Sequence, residues 1–232
     1  MTCKQGYWFG QQQWSHVFFA HWPVSKYSLQ PYIPYPFQLD TFNNTAWLTI
    51  VAFQASASRL RFVPRLLSFR PFWQINIRTY IRFGKERGIY FLTLYSNDQA
   101  AVMLGKIPGL PYCYVPMGIT QNENSLLLKS ELTVQKNFVS SFDFMFQRQK
   151  KLSANDLHQW LTNRDKVYFK RRNKIIKGTL AHESWRLYRV TGYGKLDGIV
   201  NTIIPVENNQ PLLMAGDRKK AFLYPFERIG YV

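Results

Sequence analysis

Five polar side chains recur at every second position along one short stretch: Gln74, Asn76, Arg78, Tyr80 and Arg82. They interleave with Trp73, Ile75, Ile77, Thr79, Ile81 and Phe83. A period of two is the signature of a strand, so all five polar groups project from one face. A guanidinium fixed among amides and a phenol can grip a carboxylate or phosphate through parallel hydrogen bonds. What the face does depends on where it points. Turned to water, it is an ordinary solvated surface; turned into a barrel, it lines a cavity that holds a cation. The alternation alone leaves both readings open.

Elsewhere, residues that could do chemistry are sparse. His16, His21, His158 and His182 are scattered, and neither an HExxH nor a CxxC spacing occurs. No metal site is expected. There is no GxGxxG, no GxxxxGK[ST] and no GxSxG, so two kinds of phosphate loop and one kind of serine hydrolase have no anchor. Gly84 with Gly88, and Gly192-Tyr193-Gly194, read as turns. No motif asks for a cofactor, and none is expected. His21, ahead of Trp22-Pro23, is either a general base or a hydrogen-bonded histidine at a strand end. His182 and Glu183, as neighbours on a strand, should point to opposite faces. Asp40 reads as a turn cap and Cys113 as a buried structural thiol.

Charge offers a second line. Lys and Arg number 30 against 13 Asp and Glu, a net +17, which attracts nucleic acid, an anionic surface or an acidic partner. The run Lys166, Lys170, Arg171, Arg172, Lys174, Lys177 carries Tyr168 and Phe169 between its cations. Such a pattern either stacks bases while gripping phosphates, or is an exposed hairpin tipped by Arg171-Arg172-Asn173. The two cysteines, Cys3 and Cys113, cannot build a disulfide framework. The segment Met1 to Trp8 leads into no signal-type apolar stretch, and no window reaches the ~20 apolar residues a spanning helix needs. A cytoplasmic protein without membrane insertion is expected.

The elements that position these residues follow from turn spacing. In 232 residues, 46% are hydrophobic, and 18 Phe, 14 Tyr and 7 Trp favour strands and apolar cavity walls. Turn signals every ten to fifteen residues predict an antiparallel β architecture. Strands are expected at 14–20, 46–53, 73–83 and 89–95, the last two as a hairpin. A helix capped by Asn97 and running through Leu104, and a hairpin of 112–119 with 125–134, follow, then a strand over 138–149. A helix over 154–163 is expected, with Ser153 and Asp156 as its capping box. Strands over 166–169, 174–181, 188–191 and 221–224 complete the reading.

Several segments together are similar to a known family. They are Phe19-Ala20-His21-Trp22-Pro23-Val24, Leu39-Asp40-Thr41-Phe42, Ala46-Trp47-Leu48 and Asn76-Ile77-Arg78-Thr79-Tyr80-Ile81. Gly88-Ile89-Tyr90-Phe91, Gly109-Leu110-Pro111-Tyr112, His182-Glu183-Ser184-Trp185-Arg186-Leu187, Pro211-Leu212-Leu213 and Pro225-Phe226-Glu227-Arg228 extend the match nearly end to end. The chain resembles the YqjF-like bacterial proteins, a domain of unknown function within the acetoacetate decarboxylase-like superfamily, with one such domain over residues 1–232. The resemblance implies a β-rich α+β fold: a curved antiparallel sheet closing into a barrel-like structure around a cavity, with a few peripheral helices. In that frame the Arg78 face looks inward, and Arg78, Asn76, Gln74, Tyr80, Tyr112, His21 and His182 are the candidate ligand-binding residues.

One departure bears on chemistry. Acetoacetate decarboxylases carry a Gly-aromatic-Pro-Lys-Lys element whose first lysine forms an imine and whose second lowers its pKa. Here the matching stretch is Gly109-Leu110-Pro111-Tyr112-Cys113, and Gln74 stands where the superfamily has a glutamate. Tyr112 cannot form an imine, Cys113 cannot replace an ammonium, and Lys106 lies outside the motif. No catalytic constellation is recognisable, so the resemblance leaves an enzymatic role open. The expected function is binding of a small anionic or aromatic molecule in an internal cavity, not Schiff-base decarboxylation. The alternative is a nucleic-acid-binding or anionic-surface-binding protein acting through its basic exterior. A third reading, dimerisation through exposed aromatics, ranks behind both, and oligomeric state is not legible.

Overall fold

The computed structural model describes residues 7–63, 70–122, 125–135, 138–195, 200–201, 203–206 and 210–232. Met1–Gly6, where no signal-type stretch was expected, and the expected turn residues Glu123 and Asn124 lie outside the described residues. Strands β1 (Gly10–Val24), β2 (Gln38–Leu39), β3 (Ala46–Leu60), β4 (Phe72–Phe83) and β5 (Glu86–Ser96) open the chain. Then come β6 (Tyr112–Tyr114), β7 (Gly118–Gln121), β8 (Ser125–Gln135), β9 (Phe138–Lys151) and β10 (Lys166–Arg171). β11 (Lys174–Ala181), β12 (Leu187–Lys195), β13 (Leu212–Gly216), β14 (Lys219–Leu223) and β15 (Glu227–Tyr231) follow. Among the described residues, the short helices α1 (Lys26–Leu29), α2 (Gln99–Lys106) and α3 (Asp156–Thr162) punctuate the sheet.

Seven strands close into a barrel in the order β14-β11-β10-β5-β4-β3-β1, with β1 returning to β14. Neighbours are antiparallel except β10 and β5, which meet in parallel at Val167 and Ile89. Closure removes the unpaired edges that an open sheet would present. The first half of β1 (10–14) pairs with β14, and its second half (17–21) with β13. The switch falls at His16, whose φ of 51° marks a bulge where the register against β3 shifts. From β1 a second sheet, β13-β12-β9-β8-β7, continues over the outside of the barrel.

This arrangement explains why β3 is apolar on both faces. Outward residues Phe18, Trp22, Ile50 and Ile77 pack with Leu126, Phe144 and Phe146 of the second sheet. Inward residues Val17, Phe19, Val51, Phe53 and Ile89 form a separate core inside the ring. A fully buried side chain of this size contributes about 1.5–3 kcal/mol, so each face alone anchors the strand.

Several local expectations need correction. Asp98, not Asn97, caps α2, accepting from Ala101 N at 2.7 Å. Asn97 instead ties down β4, its Oδ1 accepting from Trp73 N at 2.8 Å. α3 is capped by Asn155 with His158, not by Ser153 with Asp156. Tyr112 belongs to β6, which runs parallel to β5, so the second hairpin is confined to β7 and β8. Gly192 and Gly194 lie within β12 rather than in a turn. β13 and β15 were not anticipated, being five residues each and without clean alternation.

Candidate functional site

Along β4, Gln74, Asn76 and Arg78 project into a cavity of about 560 Å³ inside the barrel. That volume lies in the usual range for small-molecule sites. All three are more than nine-tenths buried, so the polar face is not a solvated one. Tyr80, fully buried, lies one step beyond them. Arg82 leaves the set, because its Nε bonds Asp40 Oδ1 at 2.7 Å.

Two hydrogen-bonded chains flank Arg78. In the first, Tyr80 Oη donates to the Leu161 carbonyl at 2.8 Å. Its oxygen must then accept from Thr49 Oγ1 at 2.9 Å, and Thr49 in turn accepts from His21 Nδ1 at 2.8 Å. Each hydroxyl has one proton, so this order is forced and puts the His21 proton on Nδ1. Burial, with Arg78 and His158 adding to it, holds the imidazole well below its ordinary value of 6.5. His21 is therefore neutral, and its Nε2 is buried with no partner. In the second chain, Tyr112 Oη donates to Gln74 Oε1 at 3.1 Å, and Gln74 Nε2 donates to Asn76 Oδ1 at 2.7 Å. Burial pushes the Tyr112 phenol up to about 12, which keeps it a donor. Both amides are thereby oriented, with the N–H groups of Asn76 at the free end. Gly105 on α2 makes room for Tyr112, since a methyl group there would sit 2.2 Å from its ring.

Arg78 itself is poorly satisfied. One Nη reaches the Leu161 carbonyl at a long 3.4 Å, and Nε is buried without a partner. Among the described residues no carboxylate comes within ion-pair distance of it. Arg164 shows the opposite condition: Nη2 lies 3.2 Å from Asp40 Oδ2, and Nε donates to the Trp160 carbonyl at 3.0 Å. Asp40, which the sequence suggested as a turn cap, is a fully buried carboxylate shared by Arg82, Arg87 and Arg164.

The cavity is cationic and apolar at once. Arg59, Arg78, Arg164 and Arg171 line it, and no Asp, Glu or Lys does among the described residues. Trp14, Phe19, Phe53, Phe72, Phe91 and Trp185 supply aromatic wall. His182 joins them from a loop just past β11, not from a strand, with its Nδ1 donating to the Glu183 carbonyl at 2.7 Å. Its ring packs against Trp14 and Trp185, and burial lowers its pKa.

Of the seven residues singled out from sequence, Gln74, Asn76, Arg78, Tyr112 and His182 line the cavity. Tyr80 and His21 form a layer behind that lining, joined through Thr49. Thr49, Asp40 and Arg164 were missed as partners. Thr49 lies beside both His21 and Arg78 across the sheet, a register no sequence pattern states. The basic hairpin of β10 and β11 is present, but Tyr168 and Phe169 are buried and cannot stack bases. Cys113 is exposed, not buried. Among the described residues no three of His, Cys, Asp and Glu gather as a metal site, and no helix is long and apolar enough to cross a membrane.

Comparison with known proteins agrees with this architecture. Residues 11–213 match the model of the family DUF2071, described as "Uncharacterized conserved protein (COG2071)". The chain is 28% identical over 240 residues to the uncharacterized protein YqjF of Bacillus subtilis strain 168, covering 98% of this chain and 96% of that protein. Among solved structures, an acetoacetate decarboxylase-like enzyme from Sphingomonas wittichii RW1 superposes with a TM-score of 0.66 at 9% identity, covering 98% and 95% of the two chains. The enduracididine biosynthesis enzyme MppR, complexed with pyruvate, gives 0.67 at 8% identity over 98% and 93%. Acetoacetate decarboxylase from Legionella pneumophila gives 0.64 at 12% identity over 100% and 94%. At these identities the likeness shows the fold alone.

Proposed function

The chain belongs to the DUF2071 family, and on that premise we propose that it binds a small organic anion with an apolar or aromatic body inside the barrel, anchored by Arg78. One observation carries the reading: a guanidinium over nine-tenths buried faces a cavity, and among the described residues no carboxylate pairs it. Leaving a buried cation unpaired costs on the order of several kcal/mol. A bound anion removes that cost, and its hydrogen bonds are then charge-assisted. The oriented N–H groups of Asn76 add donors two residues along the same strand face, while the aromatic wall takes the apolar body. A protein of the same fold was solved with pyruvate, itself a small carboxylate, which supports this ligand class.

The reading involves no lysine imine, since among the described residues the lining carries no lysine, and the resemblance puts Tyr112 and Cys113 where decarboxylases have their two lysines. The nucleic-acid alternative rests on the +17 charge alone, since the two aromatics of the basic hairpin, Tyr168 and Phe169, are buried and lend it no support. Native mass spectrometry of the freshly purified protein tests the proposal. It should show a co-purified acidic species that is absent from Arg78→Met. A protein carrying only neutral or basic guests, equally in both forms, would contradict it.

A further inference from the structure

The cavity has a mouth, and the mouth has a composition of its own. Residues that both line the cavity and remain exposed mark its rim: Leu104 and Ile107 at the end of α2, Arg171 at the tip of the β10–β11 hairpin, and Pro225 between β14 and β15. The α2 and hairpin sides come close, since a methyl group added at Gly109 would sit 3.2 Å from the Arg171 side chain. On α2, Val102 turns inward and is buried, while Met103 is 70% exposed and Ile107 is 64% exposed. Met103 and Ile107 are four residues apart, so they share one outer stripe. Lys106 sits between them and is also exposed. Asp98, the acid nearest to this stripe in sequence, is spent as the helix cap.

We infer that this rim docks on a membrane surface bearing anionic lipid headgroups, so that the cavity opens toward the bilayer interface. The inference rests on the cavity reading, since an amphipathic anion is what such an interface offers. Apolar side chains flanked by two cations, Lys106 and Arg171, match an interface where acyl chains lie beneath negative headgroups. They fit nucleic acid less well, because Met103, Leu104 and Ile107 are aliphatic and have no π face to stack on a base.

Cosedimentation of the full chain with vesicles tests the docking. One set is phosphatidylcholine alone, and the other an equimolar mixture with phosphatidylserine. Binding should favour the mixed vesicles, weaken with salt, and fall roughly fivefold for each rim cation removed in Lys106→Ala and Arg171→Ala. Ile107→Asp with Met103→Asp should abolish it. These side chains are exposed, and an unchanged circular dichroism melt confirms folding. Arg78→Met should dock like the wild type, while Met103→Asp alone, which lies outside the cavity lining, should weaken docking and keep the cavity guest, so failure of either reading shows separately. Equal binding to both vesicle sets, no binding to either, or aspartate variants that still dock would overturn the inference. Salt-sensitive binding to single-stranded RNA that survives the aspartate changes would assign the rim to nucleic acid instead.

Discussion

Arg78 and Arg164 are equally buried, at 8% exposure each, and both lie near the Tyr80 ring. They differ in what they face. Arg164 neutralises Asp40 and serves the fold; Arg78 faces space and has an orphaned Nε. Opposite stability effects follow. Arg164→Met should lower the unfolding free energy by about 3 kcal/mol, because it strips a buried carboxylate of a close partner. Arg78→Met should leave the empty protein unchanged or raise its stability by about 1 kcal/mol. Urea denaturation of the two variants measures both. A loss at Arg78 as large as that at Arg164 would mean that its role is structural. Arg78 was legible in sequence because alternation placed it on a polar face. The Asp40 cluster was not, since its partners come from positions up to 124 residues away.

At the scale of elements, β1, β3 and β4 lie side by side and bring His21, Thr49 and Arg78 into one row across the sheet. That row puts a neutral imidazole beside a cation, and the cost appears as pH dependence. Above the ordinary value of 6.5, His21 is uncharged in both folded and unfolded chains and contributes no slope. Below it, the unfolded chain takes up a proton that the folded chain refuses. Stability is therefore lost as pH falls from 6.5 toward the depressed folded value, at up to about 1.4 kcal/mol per unit. His21→Gln should flatten that part of a urea-midpoint profile, with His16, His158 and His182, also depressed, leaving a shallower residue. Identical profiles for variant and wild type would contradict the neutral assignment. The long strands were readable because each carries several periods of alternation. The caps of α2 and α3 were not, because Asn97 and Asp98, or Ser153 and Asn155, are equivalent until tertiary contacts choose between them.

Across the whole molecule, the cations behind the +17 charge divide into two sets, the four arginines that line the cavity and the rest. Composition cannot separate the two; closure of the barrel does. The family resemblance supplied that closure before any alternation could, and the fold agrees with it. What the fold leaves to chemistry is the guest. Isothermal titration calorimetry with a series of phenyl-terminated carboxylates, each matched to its neutral primary amide, isolates the contribution of Arg78. The wild type should prefer the acid over its amide by roughly tenfold to a hundredfold, the worth of a charged hydrogen bond of about 1.5–3 kcal/mol. Arg78→Met should erase that preference while still accepting the amide. A wild type that binds acid and amide alike, or a variant that keeps the preference, would contradict the anchoring role of Arg78.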